Sequence, residues 1–456
     1  MIDRINIAEL RNPDLVGEEV PIAGFIDANR AAGKRLRFMD VRDHTGAVQT
    51  VHKIEAGEEM DEKDGAASLE LGALLSELTP ESVVAIRGIV TANPSVKSRN
   101  PRRVPGAELK IVDAEILSLA KAGLPITPDT AFDTRLAYRA LDLRRPEKAI
   151  LFQVGTTLEA AMTEYWESMG YINPHTAKLV GTPTEGGAEV FSLDYFGIQE
   201  GYLTQSPQLA KQKAIAAGFP GFFEVGAAYR AEHSNTSRHI TEFTSVDVEF
   251  PWVESHHDVM DQEENVLRTA FATVIEKHGD DLLNMTGAEL TLPEKPFPRI
   301  TLAEARRIVE STGYRIPDSA KDLDPESERR LCDYMKQHFG SEFVFVTDFP
   351  TELRPFYHMR HEDNPGLTKS FDLLWRGIEI TTGAQREHRI DVLERQILEK
   401  GLSLDNFTDY LNNFRYGCPP HGGFGLGLNR LLAKMTSTAN VSEATFQPNT
   451  PTRLTP

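Results

Sequence analysis

Five short alternating segments within residues 1–119, a helical stretch after the third of them, and a long remainder mixing strands and helices without a βαβ rhythm predict an α+β chain. The first part reads as a five-stranded OB-fold β-barrel (1–119). The turn-rich stretch 120–135 reads as a hinge, and 136–456 as a larger domain whose mainly antiparallel sheet is flanked by helices.

The barrel strands are EVPIAGFID, RLRFMDVRD, AVQTVHK, SVVAIRGIVTA and AELKIVDAEIL, with the helix AASLELGALLSEL (66–78) between the third and fourth. A barrel of this kind commonly binds single-stranded nucleic acid on one face. Two basic stretches, KRLR (34–37) and VKSRNPRR (96–103), stand out from acidic surroundings. In the connector AGLPITPDTAFDTR (122–135), prolines set extended geometry and polar residues pack poorly, so the boundary between domains falls there.

Beyond it, FFEVGAAYRAE (222–232) and TEFTSVDVEF (241–250) alternate as the arms of a hairpin. Arg230 and Glu232 share a face of the first arm, and Phe243, Ser245 and Asp247 share a face of the second. Such a surface has groups to neutralise phosphate, accept an amine and stack a base, although taken alone it also reads as a solvent-facing hairpin with cross-strand ion pairs. TQSPQLAKQKAIAAG (204–218) predicts a helix with Ser206 as N-cap, Pro207 at the first helical position and Gly218 as terminator. Gln208 and Lys211 then lie on one face of it. RGIEITTGAQREHR (376–389) is a strand that carries Arg386 at its end, and PPHGGFGLGLNRLLAKM (419–435) runs from a glycine-rich strand into a helix carrying Arg430.

Totals narrow the classes further. At 456 residues and 40% hydrophobic, the chain is long enough for two or three folded domains. A formal net charge of -19 argues against general affinity for polyanions while leaving room for a local basic patch. The two cysteines, Cys332 and Cys418, form no metal-ligand spacing and fit a reducing compartment. The start MIDRINIAEL lacks a signal-peptide core and no run of about 18 apolar residues occurs, so the expectation is a soluble, cytoplasmic protein with no membrane partner. Gly423, Gly425 and Gly427 miss the spacing of a dinucleotide loop, and no P-loop is present.

Taken together, YRAE…RHITEF (229–243) resembles motif 2 of class II aminoacyl-tRNA synthetases and GFGLGLNRL (423–431) resembles motif 3. TEGGAEVF (184–191), QSPQLAK (205–211), RPFYHMR (354–360), GAQREHR (383–389), FRYGCPPHGGFG (414–425) and RLTP (453–456) are similar to the archaeal and eukaryotic aspartyl-tRNA synthetases. The likeness spans nearly the whole chain, makes the second part a class II synthetase catalytic domain, and reverses the solvent-facing reading of the hairpin. KMTST (434–438) has only a chance likeness to the lysine loop of class I enzymes, since its second lysine is missing.

The resemblance implies roles. Arg230 would be the catalytic residue, holding the α-phosphate of ATP and the substrate carboxylate. Phe243 would stack on adenine, with Glu232, Arg238, His239, Ile240 and Gly427 around the nucleotide and Arg430 clamping its far side. Glu379 and Thr382 would hold Mg2+, Thr382 standing where the family usually has serine. L-Aspartate would meet Lys211 and Arg386 through its side chain and Glu185, Ser206, Gln208, Asp247 and Thr382 elsewhere. A buried cation pair is expected to reject asparagine because neutral asparagine would leave the cations uncompensated. On the barrel, Phe38, Gln49 and Glu108 match the family's anticodon-reading aromatic, glutamine and glutamate, the kind of stacking and edge contact by which unpaired RNA bases are read.

The implied partners are ATP, L-aspartate and tRNA(Asp), with tRNA(Asn) a second candidate acceptor, in a homodimer. The alternatives are an asparaginyl-tRNA synthetase, a paralogue with a different acceptor, and a non-catalytic RNA-binding paralogue. Besides Thr382, the chain departs from the family pattern at Ala177 where motif 1 has proline, at Ala210 where an aromatic usually precedes Lys211, at Asn429 where an acid usually precedes the motif 3 arginine, and in FQPNTPT (446–452), which lacks the usual basic residues.

Overall fold

A computed structural model describes residues 4–54, 62–96, 103–183, 189–232, 236–317 and 320–454, with backbone alone at 62–65. The chain divides into two compact units, Met1–Pro146 and Glu147–Pro456.

In the first unit, strands β1 (Glu19–Ala31), β2 (Leu36–Arg42), β3 (Ala47–Lys53), β4 (Val83–Ala92) and β5 (Arg103–Ser118) close into a barrel of order β1-β2-β3-β5-β4, with helix α1 (Glu62–Glu77) between β3 and β4. Alternation sets what fills it: Val20, Ile22, Ile26, Met39, Val41, Val48, Val84, Ile86 and Leu109 point inward and are buried. Phe38, Asp40, Gln49 and Glu108 have the opposite parity and are half-exposed on the outside. Two short helices follow, α2 (Phe132–Ala137) and α3 (Arg139–Asp142). Buried Asp142 ties them together by accepting from Arg135 and Arg139 at 3.0 Å.

The second unit begins at the long helix α4 (Pro146–Ser168). It continues through a small sheet of β6 (Leu179–Val180), β7 (Ser192–Tyr195) and β8 (Gln199–Leu203), helix α5 (Gln208–Ala216), and the hairpin β9 (Phe222–Tyr229) and β10 (Glu242–Pro251). Then come α6 (His256–Thr286), β11 (Arg299–Thr301), α7 (Leu302–Ser311), α8 (Pro325–Phe339), β12 (Phe343–Thr347), β13 (Ser370–Trp375), β14 (Ile378–Arg386), α9 (Ile390–Glu399), α10 (Thr408–Arg415), β15 (His421–Gly427) and α11 (Leu428–Met435). The central sheet has seven strands in the order β11-β12-β13-β14-β15-β10-β9, antiparallel throughout except for β11 beside β12. Local signals set the ends of its covering helices. Ser255 and Asp258 form a capping box at the start of α6, and Gly287 closes that helix at a φ of 70°. Helix α5 starts one residue later than its sequence suggests, with Pro207 in the cap position, while Ser206 Oγ still accepts from the Gln208 amide at 3.4 Å.

One face of the sheet is apolar. Val246, Val248, Phe371, Leu373, Phe424 and Leu426 pack with α4 and α6 into the main core. The other face carries the polar residues of the same strands, and there the cavity lies.

Candidate active site

Strand β15 explains how the cavity gets its floor. Its sequence HGGFGLG places Phe424 and Leu426 in the core and leaves Gly423, Gly425 and Gly427 on the opposite face, with no side chains to fill the space above. A Cβ at Gly423 would collide with the Val248 carbonyl and with Glu249 Oε2, so this position must be glycine. The glycines that fail as a dinucleotide loop thus form one bare face of a strand.

Beside this floor, β10 presents Phe243, Ser245, Asp247 and Glu249 at alternate positions, paired with β15 from Ser245↔Gly427 to Pro251↔His421. On the other side, β14 pairs with β15 from Thr381↔Leu426 to Arg386↔His421 and sends Thr382 and Arg386 to the same face. Glu379 lies three residues before Thr382, which in a regular strand would put the two on opposite faces. The pairing with β13 slips by one residue here, from Leu374↔Glu379 to Leu373↔Thr381, and the extra Ile380 reunites them. Thr382 Oγ1 consequently donates to Glu379 Oε1 at 3.3 Å.

The resulting cavity holds about 620 Å³. It brings together Ser206, Gln208, Lys211, Arg230, Glu232, Arg238, His239, Ile240, Phe243, Asp247, Glu379, Thr382, Arg386, Gly427 and Arg430, the whole expected substrate set except Glu185, which lies outside the described residues.

At one end, Lys211 is 1% exposed and Arg386 3%. Lys211 Nζ donates to Asp247 Oδ1 at 3.1 Å and to the Phe424 carbonyl at 3.1 Å, and lies 3.3 Å from Glu249 Oε2. Arg386 donates through Nε to Glu249 Oε1 and through Nη2 to the Gly423 carbonyl, both at 3.0 Å. Burial pushes the Glu249 pKa up, but Arg386 and Lys211 together outweigh it and hold the carboxyl below its ordinary range. Two cations therefore face two carboxylates. This corrects the expected basis for excluding asparagine: Asp247 and Glu249 already compensate Lys211 and Arg386, so a neutral side chain strands no charge. This end of the cavity presents fixed N–H donors, which suit a carboxylate oxygen and oppose the NH₂ of a carboxamide.

At the other end, Arg230 follows the last residue of β9, its backbone amide donates to the Thr241 carbonyl at 2.9 Å, and its guanidinium stands 5.4 Å from the Phe243 ring centre. Arg430, on the first turn of α11, donates to the Glu379 carbonyl at 3.1 Å and to the Arg238 carbonyl at 3.3 Å. Arg238 donates to the Gly377 carbonyl at 2.7 Å and pairs with Glu328. His239 lies 3.8 Å from Glu232; burial lowers its pKa, with Arg430 and Arg238 adding to the effect and Glu232 opposing it.

Asn429 does not serve as a weakened partner for Arg430. Its Oδ1 accepts from the Thr244 amide at 2.8 Å, and its Nδ2 donates to the Ala444 carbonyl at 3.2 Å and to Thr445 Oγ1 at 3.1 Å, which fastens α11 to β10.

Two further carboxylates lie within electrostatic reach of Glu379. Burial raises the Asp372 pKa to about 7, with Arg354 opposing and Glu379 adding to the rise. Burial likewise raises Glu328 to about 7, with Arg238 opposing and Glu379 adding. Each of the three carboxylates faces an arginine, Arg354 on Asp372, Arg238 on Glu328 and Arg430 on Glu379 at 3.5 Å, and carboxylate oxygens are the donors a hard divalent cation takes. Among the described residues, no group of three or more His, Cys, Asp or Glu side chains is arranged to hold a metal.

Glu249, Asp372 and His358 were not singled out from the sequence. Glu249 was within reach, because it continues the parity of Phe243, Ser245 and Asp247. Asp372 and His358 join the site through strand pairing and a loop that no local pattern announces.

On the first unit, Phe38, Gln49 and Glu108 share the outer barrel face. Gln49 pairs across to both Asp40 and Glu108, donates through Nε2 to Glu108 Oε2, and receives Arg103 Nη2 on its Oε1 at 3.3 Å. Phe38, a residue type that usually fills a small barrel, instead stays half-exposed on this face. No helix among the described residues is long and apolar enough to cross a membrane.

Comparison with known proteins places this geometry in a family. The model for tRNA synthetases class II (D, K and N) matches residues 131–451. The aspartate–tRNA(Asp) ligase of Pyrococcus abyssi is 39% identical over 448 residues, covering 97% of each chain. The aspartate–tRNA(Asp/Asn) ligase of Methanopyrus kandleri is 40% identical over 449 residues, again 97% of each. Among solved structures, asparaginyl-tRNA synthetase from Pyrococcus horikoshii complexed with asparaginyl-adenylate matches with a TM-score of 0.87 at 31% identity over 100% of both chains. The aspartyl tRNA synthetase from Entamoeba histolytica matches at 0.86 and 29%, covering 100% of this chain and 93% of that one. With a family model spanning most of the chain and relatives matched nearly end to end, this protein belongs to the class II tRNA synthetases of the D, K and N group.

Proposed function

We propose that this chain is an aspartate–tRNA ligase, which activates L-aspartate with ATP and passes the aspartyl group to the 3′ end of tRNA(Asp), with tRNA(Asn) as a second candidate acceptor. The observation that carries the reading is the cavity shared by Lys211 and Arg386 at one end and Arg230, Phe243 and Arg430 at the other.

In the first step an oxygen of the aspartate α-carboxylate bonds to the α-phosphorus of ATP, the bond from that phosphorus to the bridging oxygen breaks, and pyrophosphate leaves. Arg230 supports it by holding both the α-phosphate and the attacking carboxylate, its fixed fork offering donors where negative charge accumulates. Phe243 supplies a flat apolar surface for adenine, and Arg430 closes over the opposite side. Ser206, Gln208 and Asp247 surround the ammonium group with oxygen acceptors; Glu185 is assigned to the same task by resemblance. Lys211 and Arg386 orient the side-chain carboxylate.

Glu379 and Thr382 are the residues that would hold Mg2+, with Asp372 and Glu328 close enough to add to the field. The bound ion would neutralise charge on the phosphates, and because Mg2+ keeps waters and shares its ligands with substrate oxygens, two protein donors suffice. The outer barrel face with Phe38, Gln49 and Glu108 is assigned to the anticodon. A homodimer in the cytoplasm completes the reading.

Pyrophosphate exchange with aspartate and with asparagine, followed by charging of purified tRNA(Asp) and tRNA(Asn), tests it. Exchange with aspartate and charging of tRNA(Asp) are expected. The similarity to an asparaginyl enzyme makes asparagine the informative control: exchange with asparagine alone would overturn the substrate assignment, and no exchange with either would favour a binding protein.

A further inference from the structure

Arg386 has three partners, and one of them is unlike the others. Nε meets the Glu249 carboxylate, Nη2 meets the Gly423 carbonyl, and Nη1 lies 2.9 Å from Nε2 of His358. Guanidinium only donates, so His358 Nε2 must accept, which makes the imidazole neutral with its proton on Nδ1. The surroundings enforce that state: burial, then Arg386, Arg354, Lys211 and Lys400, push the histidine's pKa well below its ordinary value. His358 is 3% exposed, lines the cavity, and its backbone bridges to Arg386, while Gln396 of α9 donates to the carbonyls of Phe356 and His358 and pins the segment.

Charge shows why a neutral acceptor matters here. Lys211 and Arg386 already face Asp247 and Glu249, so these four groups sum to zero. A carboxylate in place of His358, the second on Arg386 and the third in the cluster, would make the cluster negative and repel an incoming carboxylate. With no acceptor on Nη1, the long arginine side chain would lose one of the three anchors that aim it. A buried neutral imidazole anchors the fork and adds no charge, and it leaves one N–H on each terminal nitrogen with no partner among the described residues.

We propose that His358 is a specificity-positioning residue, which orients Arg386 toward the side-chain carboxylate of the substrate while keeping the pocket electrically balanced. The inference rests on the aspartate reading, and it is measured only as ratios between variants and wild type, whereas wild-type exchange with aspartate stands or falls separately.

The test is pyrophosphate exchange by the full chain with three substitutions. His358→Leu is expected to raise the KM for aspartate about tenfold to a hundredfold, the range for losing a hydrogen bond to a charged group. It should leave the KM for ATP within about twofold and reduce the preference for aspartate over asparagine. His358→Gln, whose carbonyl oxygen accepts without charge, is expected to restore most of the aspartate KM. His358→Glu, similar in size but charged, should be worse than leucine. If His358→Leu does not fold, comparison of the glutamine and glutamate variants decides alone. Equal loss for ATP and aspartate, no rescue by glutamine over leucine, or a glutamate variant as good as glutamine would overturn the proposal.

Discussion

Lys211 Nζ and Glu249 Oε2 lie 3.3 Å apart, at 1% and 0% side-chain exposure, and this pair joins helix α5, whose Lys211 lines the cavity, to strand β10. Breaking a buried pair by removing one partner typically costs about 3–5 kcal/mol because the other charge is left behind. Lys211→Met is therefore expected to lower unfolding stability by a few kcal/mol and to abolish aspartate-dependent exchange. The double variant Lys211→Met with Asp247→Asn, which leaves Glu249 paired with Arg386, should recover stability without recovering exchange, as read by urea unfolding and exchange on the same samples. Recovery of both would show that Lys211 is structural only.

Glu379 tests the assignment of the cation. Its carboxylate stands beside Thr382 and the buried Asp372, at the point where the strand bulge turns it into the cavity. Glu379→Gln should lower exchange at least about a hundredfold, the scale for a lost charge-stabilising group. It should also move the half-saturating Mg2+ concentration upward and leave the KM for aspartate nearly unchanged. An unchanged Mg2+ titration would remove Glu379 from that role.

Phe38 tests the assignment of the barrel face to the anticodon. Because it sits outside the barrel core, Phe38→Ala should leave folding and aspartate-dependent exchange intact. Stacking contributes about 1–3 kcal/mol per base, so the KM for tRNA should rise about fivefold to a hundredfold in the charging assay. A normal KM for tRNA would rule out the stacking role.

Glu263 on α6 gives a pH-dependent stability prediction. It is fully buried under Thr381, and burial raises its pKa to about 8, Thr381 opposing and Glu264 and Asp372 adding. The folded state keeps this proton between about pH 4.5 and 8 while the unfolded chain releases it, so the wild type loses stability as pH rises through that window, by about 1.4 kcal/mol per pH unit at most. Glu263→Gln escapes the loss. Its melting temperature should exceed the wild type's at pH 8, with the gap closing toward pH 5; a gap independent of pH would refute the shift.

Much of the site was legible because its signals are local. Alternation placed Phe243, Ser245 and Asp247 on one strand face, helical spacing put Gln208 beside Lys211, and the motif-like stretches around Arg230 and Arg430 marked the nucleotide end. The barrel was legible for the same reason, since inward Val20, Ile22 and Met39 and outward Phe38 and Gln49 differ only in parity. Glu185 lies outside the described residues.

What the chain alone determined is which side chains each strand and helix offers to which of its own faces, because that depends on backbone periodicity of two or 3.6 residues. Only the folded molecule decided which faces meet. Lys211 reaches the Phe424 carbonyl across more than two hundred residues, Glu249 neutralises Arg386 from another strand, His358 meets that arginine from a loop, and a one-residue slip beside Ile380 turns Glu379 toward Thr382. Strand order and register are global properties, set by how the apolar faces of β10, β14 and β15 bury together against α4 and α6, so the charge balance of the pocket emerges with the tertiary structure.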